Sequence, residues 1–184
     1  MGQRLALETG EDLRKVALHD YRLACISREA SLLGRKEVLT GKAKFGIFGD
    51  GKEVAQLALA RQFRPGDFRS GYYRDQTLMM ALGLLSVQEY FAQLYADTDA
   101  EREPMTSGRQ MNGHFGSPTV GSDGEFLNLM SGPNSSVDLS PTGSQMPRLL
   151  GWSDAAPVKT RIIYVRPIGR RWFMVSAQKR INSF

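Results

Sequence analysis

The chain has 184 residues, 41% of them hydrophobic, enough for one domain of ordinary size with a sizeable core. No run approaches the roughly 18 apolar residues that a bilayer span requires, the first fifteen residues lack the apolar stretch of a signal peptide, and Ala6 stands where an N-myristoylation pattern wants Ser or Thr. The single cysteine, Cys25, excludes an internal disulfide and fits a cytoplasmic location.

The net charge of +5 is unevenly spread. Residues 153–184 carry seven Lys/Arg against one acid, Asp154, which leaves the first 152 residues at a net −1. The basicity belongs to the tail, so nucleic acid is not the expected partner of the body.

Residues 11–38 read as a long amphipathic helix, with Leu13, Val16, Ala17, Tyr21 and Ala24 at roughly helical spacing. Cys25 falls mid-helix without an obvious partner and is expected in the core, whereas His19 is expected on the surface. Gly41–Gly51 is a glycine-rich loop. A helix from about Glu53 to Gln62 follows, with Val54, Leu57 and Ala58 inward. Arg64-Pro65-Gly66-Asp67 marks a turn. Phe68–Tyr73 suits a short strand and Thr77–Leu82 a short helix stopping near Gly83. Ser86 with Glu89 three residues on is a capping box. It opens a helix with Val87, Tyr90, Phe91, Leu94 and Tyr95 on one face. Residues 97–140 are rich in Gly, Ser, Asn and Asp, and an ordered stretch of that length without periodicity tends to be a functional loop. A further helix starts near Pro141, with Ser140 as its cap and Pro141 at its first position.

Gly46-Ile47-Phe48-Gly49-Asp50-Gly51-Lys52-Glu53 nearly matches a phosphate-binding P-loop, but Glu53 replaces the hydroxyl that ligates magnesium and no hydrophobic strand precedes it. Gly49-Asp50-Gly51 also imitates the magnesium motif of thiamine enzymes. The Asn that should follow about 26 residues later is missing, since none lies between positions 51 and 111. A tight turn before a helix is the preferred reading.

Three segments carry the functional reading: Gly71-Tyr72-Tyr73-Arg74-Asp75, Gly108-Arg109-Gln110-Met111-Asn112-Gly113-His114-Phe115-Gly116, and Ser140-Pro141-Thr142-Gly143-Ser144-Gln145-Met146-Pro147. In this order and spacing they resemble the E1 alpha subunit of thiamine-diphosphate-dependent 2-oxoacid dehydrogenases, most closely the branched-chain type and its bacterial relatives. Gly51-Lys52-Glu53-Val54 resembles the Gly-Gln-Glu-Ala stretch near the start of that family's domain, and the resemblance spans about residues 11–150. It implies an α/β thiamine-diphosphate-binding fold, with a long N-terminal helix and a parallel sheet whose core is incomplete in this chain. Tyr73 and Arg74 match the pair that holds the cofactor diphosphate, a role that suits a planar fork of donors beside a hydroxyl. Ser140 and Thr142 match positions whose backbone meets the aminopyrimidine ring. Ser144 and Gln145 match positions that help hold a structural potassium ion in branched-chain members, and their oxygens suit such a cation. The family more often has a bulky apolar residue at Thr142 and Thr at Ser144. His114 falls in the loop that faces the reacting carbons, where an imidazole can exchange protons near neutral pH. Arg109 and Gln110 are expected to position that loop.

Two family elements are missing. One is the magnesium motif; the other is the glutamate that promotes ylide formation, which the family draws from its beta half. Where members continue in a small-residue helix, this chain has Trp152-Ser153-Asp154-Ala155-Ala156-Pro157 and a basic tail without family pattern. Residues 1–152 are therefore read as the N-terminal part of an E1 alpha-type domain and 153–184 as a separate tail. Loss of reading frame near residue 152 would explain that break. The alternative is a genuine tail, with Ile162-Ile163-Tyr164-Val165 as a strand, that binds an acidic partner. The resemblance implies a beta-type E1 chain, a lipoyl-bearing E2 and a 2-oxoacid as partners, with no membrane. It also implies thiamine diphosphate, magnesium and a possible potassium ion as cofactors, and no turnover by this chain alone. A basic-tailed interaction module and, behind it, a P-loop nucleotidase are the competing readings.

Overall fold

The computed structural model describes residues 10–141, 143–155, 161–168 and 171–178. The first element is α1 (Gly10–Leu39), as the periodicity requires, but its buried stripe is not the expected one. Leu13 and Tyr21 are 49% and 70% exposed, and Cys25 is exposed rather than in the core. The buried positions are Ser27, Ala30, Ser31, Gly34 and Glu37, a stripe along one face of the second half of the helix in which each lies three or four residues from another. That half is the one buried against the helices that follow, largely through small residues, while Leu23 and the Asp20–Arg61 pair make the contacts of the first half. A Cβ at Gly34 would lie 2.6 Å from Cε1 of Phe48, so this glycine sets how closely the loop can approach.

The loop from Gly41 leads into α2 (Glu53–Ala60). Its inner face is Glu53, Gln56, Leu57 and Leu59, so Leu57 is placed as expected and Val54, 80% exposed, and Ala58 are not. The face is turned by Gln56, whose amide donates to the Arg74 carbonyl (2.8 Å) and accepts from the Leu78 amide (2.8 Å). A polar side chain with two backbone partners outweighs the preference of two small apolar residues for the interior.

The strand β1 (Phe68–Ser70) is followed by α3 (Gln76–Ala81) and α4 (Val87–Leu94). The capping box is formed: Ser86 Oγ accepts from the Glu89 amide and Glu89 accepts from the Ser86 amide. Of the expected apolar face of α4, Tyr90 and Leu94 are buried and Phe91 is half-buried, whereas Val87 and Tyr95 are exposed. Ala30, Met79, Met80, Leu85, Tyr90 and Phe115 make the main apolar cluster, to which α1, α3 and α4 all contribute.

Residues 97–133 contain no helix or ladder strand, in keeping with their composition. The short strand β2 (Asn134–Ser135) pairs in parallel with β1, Phe68 opposite Asn134 and Arg69 opposite Ser135. Then comes α5 (Gln145–Ala155), which begins several residues later than expected, so Ser140 does not cap it. The Ser144 hydroxyl donates to the Pro141 carbonyl (2.7 Å) and the Ser144 amide to the same oxygen, a turn that postpones the helix. Strands β3 (Arg161–Ile168) and β4 (Arg171–Gln178) complete a sheet of order β2-β1-β3-β4. β3 lies parallel to β1, Arg69 opposite Ile163, and antiparallel to β4; the expected strand at Ile162–Val165 falls within it. The architecture is a helix-rich α/β arrangement with a small sheet, parallel across β2-β1-β3, and a long N-terminal helix. Among the described residues no helix is long and apolar enough to cross a membrane.

Candidate functional site

The three motif segments, separated by tens of residues in sequence, meet beyond the C-terminal end of β1. Tyr73 and Arg74 are half-buried in the turn between β1 and α3. The Arg74 guanidinium lies over the Tyr73 ring, 4.7 Å from its centroid, and donates to the Tyr73 hydroxyl (3.1 Å). Among the described residues no carboxylate pairs with Arg74. A guanidinium without a counter-ion, held flat by an aromatic ring, suits a phosphate group.

His114 is 2% exposed, and both ring nitrogens have partners. Nδ1 lies 2.9 Å from the Met111 carbonyl oxygen and Nε2 lies 2.8 Å from Ser140 Oγ. A carbonyl can only accept, so Nδ1 carries a proton, and in the neutral ring Nε2 accepts from the Ser140 hydroxyl. The tautomer is thus set by the main chain. Ser140 is exposed at the mouth, and its carbonyl accepts from the Tyr72 hydroxyl (3.1 Å). The loop carrying His114 touches the Tyr-Arg pair directly. Gly113 has φ +82°, and a Cβ there would stand 2.9 Å from the Tyr73 carbonyl oxygen.

Several unanticipated residues hold these pieces. Gln93 on α4 donates to the His114 carbonyl (2.7 Å) and accepts from the Gly113 amide (2.7 Å). Asn112 Oδ1 accepts from the Ile47 amide (2.8 Å). Gln76 joins α1 to the glycine-rich loop: its amide donates to Ser31 Oγ (2.7 Å) and accepts from the Gly49 amide (3.2 Å). Arg69, 1% exposed, donates to Asp75, Asp138, Ser135 and the Tyr72 carbonyl. Burial works against the charge of Arg69, but the two aspartates outweigh it and raise its pKa above the usual value. Burial raises the Asp75 pKa, with Arg69 opposing and Asp138 reinforcing the shift. Asp75 stands within the quoted segment 71–75, so its position was visible; its burial and its bond to Arg69 were not. Arg109 and Gln110, expected to position the loop, are both exposed; Gln93 and Asn112 do that work instead.

The remaining expected residues divide. Thr142 lies outside the described residues. Ser144 is half-buried. Gln145 is buried, and its Oε1 has no hydrogen-bond partner among the described residues. It lines a crevice with Ser70, Ser136, Asp138 and Arg148. The crevice also presents Arg148, and its Asp138 carboxylate is already held by Arg69, so among the described residues the orphaned Oε1 is the feature that favours a cation. His19 is exposed beside Asp20, as expected.

Gly49-Asp50-Gly51 forms the expected turn, with Gly51 at φ +88°. Asp50 pairs with Arg35. The Gly51 amide, one of the donors a phosphate loop would need, points to the Glu53 carboxylate (3.0 and 3.1 Å), which also binds Arg28 (2.7 Å). Burial raises the Glu53 pKa, but Arg28 and the backbone amides more than offset this and hold it below the usual range. An anion of the chain itself therefore occupies this helix start, which removes the geometric basis of the nucleotidase reading. Among the described residues no group of three or more His, Cys, Asp or Glu side chains is gathered as a metal site. No known protein-family model matches this chain.

Proposed function

We propose that this chain supplies part of a thiamine-diphosphate site of the 2-oxoacid dehydrogenase E1 alpha type. A single observation carries the reading. The three segments that resemble that family meet at one place, with His114 Nε2 on Ser140 Oγ, Gly113 against Tyr73, and the Tyr72 hydroxyl on the Ser140 carbonyl. The fold would then be the parallel-sheet thiamine-binding fold, with the site beyond the strand ends of the sheet.

Arg74 and Tyr73 would hold the diphosphate. The Arg74 edges not facing the Tyr73 hydroxyl supply charge-assisted donors, and the stacked ring fixes the plane of the fork. The backbone at Ser140 and Thr142 would meet the aminopyrimidine, and Gln145 with Ser144 would hold potassium. When bound, thiamine diphosphate supplies an electron sink for the carbanion left as carbon dioxide departs from a 2-oxoacid. His114 contributes a proton relay. Nδ1–H is retained by the Met111 carbonyl, and Nε2 can take a proton by way of the Ser140 hydroxyl and return it. The magnesium motif and the ylide-promoting glutamate are not found in this sequence. A beta-type partner would supply the glutamate, and a lipoyl-bearing E2 would accept the acyl group.

Calorimetry with thiamine diphosphate and magnesium tests the reading. Saturable binding that Arg74→Ala weakens at least tenfold, with the circular dichroism spectrum unchanged, supports it. No heat of binding at millimolar cofactor overturns it for this chain.

A further inference from the structure

We propose that Arg69, through Asp138 and Asp75, is the positioning residue that sets the Tyr73-Arg74 clamp and the His114 imidazole in one register. Its role in catalysis rests on the cofactor reading above; the geometric claim stands by itself.

Arg69 is the central residue of β1, with its side chain fully enclosed. Toward the clamp, Nε (3.1 Å) and Nη2 (2.9 Å) donate to Asp75 Oδ2, and Nη2 also donates to the Tyr72 carbonyl (2.9 Å). Asp75 Oδ2 in turn accepts from the Tyr72 amide (3.0 Å), so both main-chain groups of Tyr72 are fixed by this one pair. Toward the imidazole, Nη1 and Nη2 grip both oxygens of Asp138 (3.1 and 2.9 Å), and Asp138 Oδ2 accepts from the Phe115 amide (3.1 Å). Phe115 follows His114 directly, and Asp138 precedes Ser140 by two residues. The two atoms that must meet, His114 Nε2 and Ser140 Oγ, thus hang on the two sides of the Asp138–Phe115 bond.

Two further contacts fit this role. A Cβ at Gly71 would lie 2.2 Å from the Arg69 guanidinium, so the glycine of the clamp segment makes room for the hub. The Asp138 amide donates to the Phe115 carbonyl (2.8 Å), closing a reciprocal pair across the two segments. A planar guanidinium can serve two carboxylates and a carbonyl at once; an ammonium cannot place donors along two edges. Lysine at 69 should therefore keep the charge and lose the register.

The test uses the protein's two histidines as probe and control. Ring carbon and nitrogen resonances of His114 report the hydrogen bonds at its two ring nitrogens, whereas exposed His19 on α1 reports only general change. Ser140→Ala, which removes the imidazole's own partner, calibrates the shift. In Arg69→Lys and in Asp138→Asn, the His114 Nε2 and neighbouring ring-carbon signals should move at least half as far and in the same direction, with His19 signals and circular dichroism unchanged. A residue that only stabilises the fold would lower the melting temperature and leave the folded protein's His114 signals in place, and that result overturns the proposal. Native-state hydrogen exchange on the unsubstituted protein needs no variant to fold. The amides of Tyr72 and Phe115 should open together, with protection within threefold of each other; a tenfold difference overturns the proposal. Neither readout uses cofactor, so a blank in calorimetry sinks the cofactor reading alone.

Discussion

The helical half of this molecule and its loop half are held together by different means. Around α1, α3 and α4, apolar side chains supply much of the cohesion: Met79, Met80 and Leu85 bury area without needing specific partners. Across residues 69–75, 108–116 and 134–138 the enclosed groups include Arg69, Asp75, Asn112, His114 and Asp138, each tied to particular atoms. The first kind of cohesion tolerates sliding. The second fixes atoms relative to one another, because a buried donor or acceptor left unpaired is costly. A site that must present a guanidinium, an imidazole and a hydroxyl at set positions is built from the second kind.

The largest expected effect tests that contrast at the hub. Asp138→Ala leaves Arg69 buried with one carboxylate and orphans the Phe115 amide, and should cost about 3–5 kcal/mol in denaturant unfolding. Met79→Ala, at a fully buried site of the helical half, should cost about 2–5 kcal/mol by loss of transfer energy and creation of a cavity. It should leave the His114 ring signals unmoved. Gln93→Ala strands the His114 carbonyl and the Gly113 amide; about 1–3 kcal/mol is expected, with faster exchange confined to the loop. Ser86→Ala removes one arm of the capping box on α4 and should cost about 1 kcal/mol, visible as a small drop in melting temperature.

The last effect is the smallest and concerns sign. Burial lifts the Asp75 pKa, so the folded chain holds that proton more tightly than the unfolded chain, whose aspartates titrate near about 3.9. The stability linked to Asp75 is fully present below that value and is lost as pH rises through the higher folded value. Asp75→Asn abolishes this dependence. Relative to the parent, the variant should therefore gain stability between pH 4 and pH 7 in chemical denaturation. A constant difference across that range would show that the hub accommodates both carboxylates as anions.

Local signals were legible where one residue type has one preferred use. Ser86 and Glu89 announce a cap, the turn glycines announce their loops, and the charge break marks where the near-neutral body gives way to basic sequence. Faces were less legible. On α2 the sequence favours Val54 and Ala58 inward, and Gln56 overrides them because it can reach two backbone groups at once. On α1 the apolar residues Leu13 and Tyr21 face outward, and the serines that pack inside were unremarkable until Gln76 was seen against them. The site was legible as three strings, including Asp75, but not as the bonds between them. Arg69 and Asp138 lie outside those strings and have no local pattern.

The sequence by itself determined the order and kind of the helices, the irregular character of residues 97–133, and the three segments that carry functional chemistry. Helix periodicity, capping and turn preferences act over a few residues, and a reader of the chain has those residues in view. The tertiary structure alone decided that His114 meets Ser140, that Gly113 and Gly71 are needed for close approach, and that Arg69 joins the clamp to the imidazole loop. Those are contacts between residues up to 69 positions apart. Their strength comes from the exclusion of water, which no short stretch of sequence can bring about.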